Sequence, residues 1–339
     1  MRLKSDFDLN WRIDDMKILI SDFEEGMEAN YDLTISSIKK VIPDAEVDVY
    51  VYKNKEDFIN VMQQYDALIT AFLPMDKSIF KHTPNLKCIS VSAVGYNSIN
   101  LEDAKESGVK VCHIDEYCTE EVAEHAFSLI MALNRNLKHY IKEIDEEYKW
   151  QYYSIDGGLN LSSMTLAIFG FGRIGRRLAK LVSGFDMRVL AVDPYITEEQ
   201  NLEYGAELVS LDYALENADV ISNHMNLTEE NKDYFNMTKF EKMKKCPLFV
   251  NVGRGGTVCE KDLIDALDRG LLRGAGLDVL DNDNPDLKEN KLVGRSDVIL
   301  TPHSAFYSRE SLYKLQTISA ENLAYVLTNK MNKVKKILV

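Results

Sequence analysis

An arginine and a histidine, far apart in the chain and each set among turn-forming residues, are the side chains best suited to chemistry. Arg254 lies in Asn251-Val252-Gly253-Arg254-Gly255-Gly256, just past the apolar run Leu248–Val252. An arginine at the carboxyl end of a parallel strand faces the crevice where open α/β sheets bind ligands. Its planar fork of N–H donors suits a carboxylate together with a neighbouring carbonyl oxygen. His303 lies in Thr301-Pro302-His303-Ser304, past the last strand-like run. An imidazole beside a carboxylate holds its proton to higher pH and can pass it to a ketone oxygen as hydride reaches the carbon. Carboxylates occur nearby in sequence: Asp278 at the end of the run Ala275–Val279, then Asp281 and Asp283 in Asp281-Asn282-Asp283-Asn284-Pro285.

Gly170-Phe171-Gly172-Arg173-Ile174-Gly175 follows the run Leu166-Ala167-Ile168-Phe169 and opens a helix, Ile174–Val182. The first glycine permits the tight turn, the second clears space for a pyrophosphate, and the third lets helix and strand pack closely. The positive end of the helix favours a diphosphate. The next strand, Arg188–Val192, is followed by Asp193, 18 residues after Gly175, close to the spacing of about 20 for a ribose-binding acid. A carboxylate there accepts hydrogen bonds from ribose hydroxyls and repels a 2′-phosphate. Pro194-Tyr195-Ile196-Thr197 supplies no arginine to bind one. The expected cofactor is NAD(H).

These residues need a frame, and the rest of the sequence supplies it. Strand-like runs at Lys17–Ser21, Glu46–Tyr52, Ala67–Phe72, Cys88–Val94 and Val109–Ile114 alternate with helical stretches such as Tyr31–Val41 and Leu101–Ser107. A second series follows: Thr165–Phe169, Arg188–Val192, Ala206–Val209, Val220–His224, Leu248–Val252, Ala275–Val279 and Val298–Leu300. Two βα series predict two doubly wound parallel-sheet domains, an α/β fold. A helix from about Thr119 to Glu147 joins them. The helical stretch Glu310–Thr328 could return to the first domain and make it discontinuous. The expected division is residues 17–118 with 305–339 as a flavodoxin-like substrate domain, 119–304 as the dinucleotide domain, and 1–16 as an extension.

Composition narrows the function classes. With 40 basic and 54 acidic residues the net charge is −14, which argues against a broad nucleic-acid footprint. No apolar run approaches the roughly 18 residues of a membrane span, and the first fifteen residues do not resemble a signal peptide. Five scattered cysteines fit reduced thiols in the cytoplasm. No HExxH or Cys/His cluster is present, so no catalytic metal is expected.

The chain resembles the D-isomer-specific 2-hydroxyacid dehydrogenase family over roughly residues 17–330. The resemblance rests on the glycine turn with Asp193, Val94-Gly95-Tyr96-Asn97, Val122-Ala123-Glu124-His125, Asn251–Gly256, Gly276-Leu277-Asp278-Val279 and Thr301-Pro302-His303. Its downstream part is similar to the branch containing the C-terminal-binding-protein corepressors. What the resemblance implies is NADH-linked interconversion of 2-oxo acids and (R)-2-hydroxy acids, in a cleft between two domains of a homodimer. Arg254 would bind the substrate carboxylate and polarise its C2 oxygen, and His303 would exchange the proton. Asp278 falls where the family contacts the nicotinamide carboxamide, and Arg173 and Ile174 at the pyrophosphate turn. Met225, Asn226, Asn231, Val252 and Gly253 fall on loops lining the cofactor. Val94 and Gly95 would hold the substrate carboxylate, with Tyr96 beside them. A second implied reading is an NADH-sensing, corepressor-like interaction protein. Arg254 and His303, which binding alone does not require, favour the enzyme.

Other residues read more plainly. His125 is expected to be a buried helix residue hydrogen-bonded between domains, and Cys259 a packed thiol. Trp150, Tyr152 and Tyr153 are expected to pack the connection into the second domain. Lys330, Lys333, Lys335 and Lys336 read as a solvated tail. Candidate substrate walls are apolar or aromatic (Phe72-Leu73-Pro74-Met75, Tyr96, Phe306, Tyr307), which disfavours a phosphorylated substrate. They favour pyruvate, hydroxypyruvate, glyoxylate or a branched or aromatic 2-oxo acid, with a lean toward an apolar side chain.

One departure from the family pattern generates a test. The family usually has Glu followed by Pro where this chain has Asp283-Asn284, with the proline delayed to Pro285. Asp283 is one methylene shorter, and a small loop shift would bring Asp281 closer to His303 instead. If Asp283 is the partner, Asp283→Ala should lower 2-oxo acid reduction at neutral pH. A pH–rate profile unchanged from the parent enzyme removes Asp283 from the mechanism.

Overall fold

The computed structural model describes residues 15–28, 30–197, 203–282 and 285–339. Most of the expected extension, 1–14, and Asp283 lie outside the described residues. The chain divides into two compact units, one formed by the residues up to Tyr117 together with Ser308–Val339, the other by Cys118–Tyr307.

In the first unit the strands are β1 (Lys17–Asp22), β2 (Glu46–Val51), β3 (Ala67–Thr70), β4 (Cys88–Val91) and β5 (Lys110–His113). Between them run α1 (Asp32–Lys39), α2 (Lys55–Met62), α3 (Lys77–Phe80) and α4 (Leu101–Glu106). The five strands are parallel in the order β2-β1-β3-β4-β5. β1, β3 and β4 are apolar and buried because helices cover both faces. β2 is an edge strand with Val49 and Val51 exposed, so not every strand is covered as the sequence suggested. The late helix (Arg309–Leu327) packs Ala320, Leu323, Ala324 and Leu327 against Ile18, Ile20, Cys88 and Cys112.

The lysine-rich end is not simply a solvated tail. A short strand, Lys336–Ile337, pairs antiparallel with β5 and extends the sheet. Asn322, buried in the late helix, anchors it by donating to the His113 carbonyl at 3.0 Å and accepting from Lys335 N at 2.9 Å. Composition hides such a strand because its register comes from a helix residue 13 positions earlier.

The second unit begins with α5 (Thr119–Asn134) and α6 (Leu137–Glu147). The predicted single helix thus breaks at Asn136, which takes φ +53°. Then follow β6 (Thr165–Phe169), α7 (Arg173–Val182), β7 (Arg188–Val192), β8 (Ala206–Leu208), α8 (Leu211–Asn217) and β9 (Val220–Asn223). The unit ends with α9 (Met237–Phe240), β10 (Leu248–Asn251), α10 (Glu260–Asp268), β11 (Gly274–Leu277) and β12 (Val298–Leu300). In this numbering the late helix of the first unit is α11 and its short antiparallel strand β13.

The second sheet is parallel, in the order β12-β11-β10-β9-β6-β7-β8. Strand order reverses between β6 and β9, the switch point where doubly wound sheets open a crevice at their carboxyl ends. Phe169, Phe235, Phe240 and Phe249 fill its core. α5 lies close on β11 because the strand carries glycine: a Cβ on Gly276 would stand 3.1 Å from Leu129 Cβ and Leu133 Cδ1. Gly276→Val should therefore overpack this contact and cost about 1–3 kcal/mol. Urea unfolding checks it, and an unchanged midpoint would mean α5 can move aside.

Candidate active site

The glycine turn after β6 is built as the sequence required. Gly170 has φ +83°, and a Cβ there would meet Met225 N at 2.9 Å and the His224 carbonyl carbon at 3.0 Å. From the other side, a Cβ on Gly253 would meet Met225 O at 2.7 Å. Two glycine turns therefore close on the His224–Met225 peptide, and larger residues would push the three loops apart. A Cβ on Gly175 would stand 2.6 Å from Gly170 O, so helix α7 is held tight against the turn. Gly172, by contrast, faces open space and N-caps α7 with no side chain.

Asp193 completes this end of the sheet. Its Oδ2 accepts from Phe171 N at 2.8 Å and its Oδ1 from Tyr195 N at 2.9 Å. Each carboxylate oxygen keeps further acceptor capacity for a ribose hydroxyl. The open turn at Gly172, the helix start behind it and the fixed carboxylate fit a dinucleotide. Gly170, Gly172, Arg173, Ile174, Gly175 and Asp193 are the residues that would hold its diphosphate and ribose.

Three buried polar side chains shape the neighbouring loops, and the sequence reading did not single them out. Asn223 donates to Asn251 Oδ1 at 2.9 Å and to Thr257 Oγ1 at 2.8 Å, and its own oxygen accepts from Met225 N at 3.2 Å. Asn251 Oδ1 also accepts from Gly253 N at 3.1 Å, and Thr257 donates to the Arg254 carbonyl at 2.6 Å. Their signal was a polar residue ending an apolar strand or closing a glycine turn. Asn231 braces the next loop, donating to Asn226 O at 2.6 Å and accepting from Thr228 N at 2.7 Å.

The Arg254 loop sits directly against the loop after β11. A Cβ on Gly255 would fall 1.7 Å from Leu280 O, and one on Gly256 would fall 3.5 Å from Asp281 Oδ1. Arg254 itself is half-buried, its Nη1 donating to Gly253 O at 2.9 Å. Asp278, at the head of the same loop, is 2 % exposed. Its Oδ1 accepts from Thr301 Oγ1 at 2.6 Å and Ser304 N at 2.9 Å, and its Oδ2 from Ala305 N at 3.0 Å. His303 lies inside that clasp with φ +51°, its N–H donating to the Asp278 carbonyl at 2.8 Å. The carboxylate expected at the cofactor is thus engaged by the loop that carries the histidine.

The first unit has a matching device. Asp22, ending β1, accepts from Ala71 N at 2.6 Å, Phe72 N at 3.1 Å and Thr70 Oγ1 at 3.2 Å, all after or at the end of β3. Burial pushes its carboxyl up, against the pull of these hydrogen bonds. After β4, Val94 and Tyr96 are exposed. His113 Nδ1 lies 3.1 Å from Val94 O and its ring packs edge-on to Tyr96 at 5.3 Å. Burial lowers the His113 pKa, and Nδ1 donates to the Val94 carbonyl, which can only accept.

The sequence profile of the D-isomer specific 2-hydroxyacid dehydrogenase NAD binding domain matches residues 127–305. A glyoxylate reductase of Korarchaeum cryptofilum is 34% identical over 274 residues, 80% of this chain and 82% of that protein. The chain belongs to the D-isomer-specific 2-hydroxyacid dehydrogenase family. A hydroxypyruvate reductase of Blautia hydrogenotrophica is 32% identical over 279 residues, 79% of this dehydrogenase and 84% of the relative. A crystal structure of D-lactate dehydrogenase from Aquifex aeolicus, complexed with NAD and lactic acid, aligns with a TM-score of 0.82 at 26% identity. That match covers 94% of this chain and 97% of the other. This dehydrogenase is an NAD-dependent oxidoreductase that interconverts 2-oxo and 2-hydroxy acids.

Three expectations are revised. His125 is half-buried, and its Nε2 lies 3.0 Å from Thr301 Oγ1 within the second unit rather than bonding between domains. Trp150, Tyr152 and Tyr153 do not pack inward: they are 91%, 82% and 74% exposed. Tyr140 OH instead holds their backbone by donating to Tyr152 O at 2.8 Å, and the next residue, Ser154, donates its Oγ to Glu143 Oε2 at 2.6 Å. Cys259 is partly exposed, and burial raises its thiol pKa rather than activating it. Among the described residues, no helix is long and apolar enough to cross a membrane.

His224 gives this site a pH signature. Its Nε2 is 2.8 Å from Ser222 Oγ, its Nδ1 is enclosed without a hydrogen-bond partner, and burial pushes its pKa from 6.5 to about 3. The unfolded chain takes up this proton before the folded one does. Its contribution is therefore fully present above about pH 6.5 and lost as pH falls toward 3, by up to about 1.4 kcal/mol per pH unit. His224→Gln should flatten that acid slope in unfolding midpoints measured across the window. An equal slope in both proteins would place the proton uptake elsewhere.

Proposed function

We propose that this dehydrogenase reduces an unphosphorylated 2-oxo acid to the (R)-2-hydroxy acid, with Arg254 and His303 acting on the substrate. Bound NADH supplies the hydride for C2. Arg254 pairs with the substrate carboxylate and draws charge onto the C2 oxygen, where negative charge grows as hydride arrives. His303 donates the proton that this oxygen needs, and accepts it back during oxidation. Asp283, with Asp281 as the alternative, is the proposed carboxylate beside that imidazole. The amides of Val94 and Gly95 are assigned to the substrate carboxylate. The exposed aromatic rings of Phe72 and Tyr96 support an apolar substrate side chain.

One observation carries this reading. The Arg254 loop packs on the loop after β11, and Asp278 of that loop clasps the segment holding His303. Loss of NADH absorbance with a panel of 2-oxo acids tests it. Arg254→Ala should lower kcat/KM about a hundredfold or more, and His303→Ala by a similar factor, while both still bind NADH. Tight NADH binding with no turnover on any member of the panel would instead support the corepressor-like reading.

The second proposed feature is a homodimer. Leu137, Ile141, Ile144, Tyr148 and Trp150 form an exposed apolar face on and after α6. An exposed apolar face of this kind suits a second copy of itself. Sedimentation should report a dimer that Ile141→Glu with Trp150→Glu converts to monomer. A monomeric parent at micromolar concentration would overturn the assignment.

A further inference from the structure

Helix α5 carries one imidazole that the reaction above does not use. His125 Nε2 lies 3.0 Å from Thr301 Oγ1 and 3.6 Å from Asp278 Oδ1, and its side chain is 23% exposed. The direction of the hydrogen bonds follows from proton counting. Both oxygens of Asp278 accept backbone amides, from Ser304 and Ala305. The Thr301 hydroxyl, with one proton, therefore donates to Asp278 Oδ1 at 2.6 Å. Its oxygen is left to accept, so the hydrogen between Thr301 and His125 sits on Nε2.

The result is a one-way chain from imidazole to hydroxyl to carboxylate, ending on the two amides that follow His303. His303 is held at φ +51°, a left-handed posture disfavoured for a non-glycine residue that persists only where its surroundings enforce it. Enforcement comes from both sides: Thr301 and Ser304 are fixed on the Asp278 carboxylate, and His303 N on the Asp278 carbonyl. Without the His125 donor, the Thr301 hydroxyl keeps its bond to Asp278 but loses the contact that fixes its rotation from the other side.

We infer that His125 is a positioning residue: its Nε2–H orients the Thr301 hydroxyl onto Asp278 and so fixes the posture in which His303 transfers its proton. The inference rests on the assignment of His303 to proton transfer. It extends that assignment to a helix residue that acts through Thr301 and Asp278.

The test compares His125→Leu, Thr301→Val and His125→Gln in the full chain. Misplacing a reacting group by a fraction of an ångström to 1 Å costs up to about a hundredfold. His125→Leu and Thr301→Val should each lower kcat about tenfold or more, with the KM for the 2-oxo acid and the Kd for NADH within about twofold of the parent. His125→Gln, which keeps an N–H donor, should recover most of the loss. Hydrogen exchange supplies a readout that needs no turnover: the Ser304 and Ala305 amides should exchange faster in the Leu and Val variants than in the Gln variant. Unchanged kcat in His125→Leu, or a Gln variant as impaired as the Leu variant, overturns the inference. If the parent turns over but amide exchange is unaltered, the chain of hydrogen bonds is wrong. If the parent does not turn over while amide exchange responds as described, the reductase reading fails and the orienting role stands.

Discussion

Taking a carboxylate out of water is costly unless its oxygens find donors, and Asp278 is the residue through which that constraint organises this enzyme. It is buried at the end of β11 and takes donors from the Thr301 hydroxyl and the amides of Ser304 and Ala305. Satisfying one buried charge thereby dictates the path of five residues, including the left-handed turn at His303. The histidine owes its placement to a neighbour's solvation requirement rather than to any preference of its own.

The same solution recurs at other strand ends. Asp22 gathers the loop after β3 in the first unit, as Asp278 gathers the loop after β12 in the second. Asn223 and Asn251 do similar work with uncharged groups, and Thr257 closes their network onto the backbone of Arg254. Parallel sheets bring these ends to one edge, so a polar residue closing one strand can reach the loop of the next. Glycines at 170, 253 and 255 let those loops approach to distances that any Cβ would forbid. Polar clasp and missing side chain are complementary: one pulls the loops in, the other lets them arrive.

Much of this was legible in the residues. Twelve strands announce themselves as short apolar runs, and Thr165–Phe169, Arg188–Val192 and Val298–Leu300 have the same bounds in sequence and structure. Several other runs were read one to three residues too long at their carboxyl ends, as with Val220–His224 against Val220–Asn223. Apolar character continues into the turn there, while hydrogen-bond pairing stops. β13 escaped because two residues in a lysine-rich stretch carry no periodicity. The break between α5 and α6 escaped because nothing in Arg135-Asn136 forbids a helix; the bond from Asn136 Nδ2 to Asp156 O belongs to a distant segment. The aromatic residues 150–153 were assigned to the interior by their hydrophobicity alone, and their exposure follows from backbone bonds to α6 that no local pattern encodes.

The sequence by itself determined the class of fold, the dinucleotide turn with its acid, and the residue types able to bind a carboxylate and move a proton. Those depend on short-range facts: side-chain size at a turn, apolar periodicity and the chemistry of single groups. Only the tertiary structure decided how the loops are held, which carboxylate clasps the His303 segment, and that His125 on α5 meets Thr301 some 176 positions later. Such pairings come from the sheet order and the need to satisfy buried polar groups. Neither can be read from spacing along the chain, because the partners become neighbours only once the strands are laid side by side.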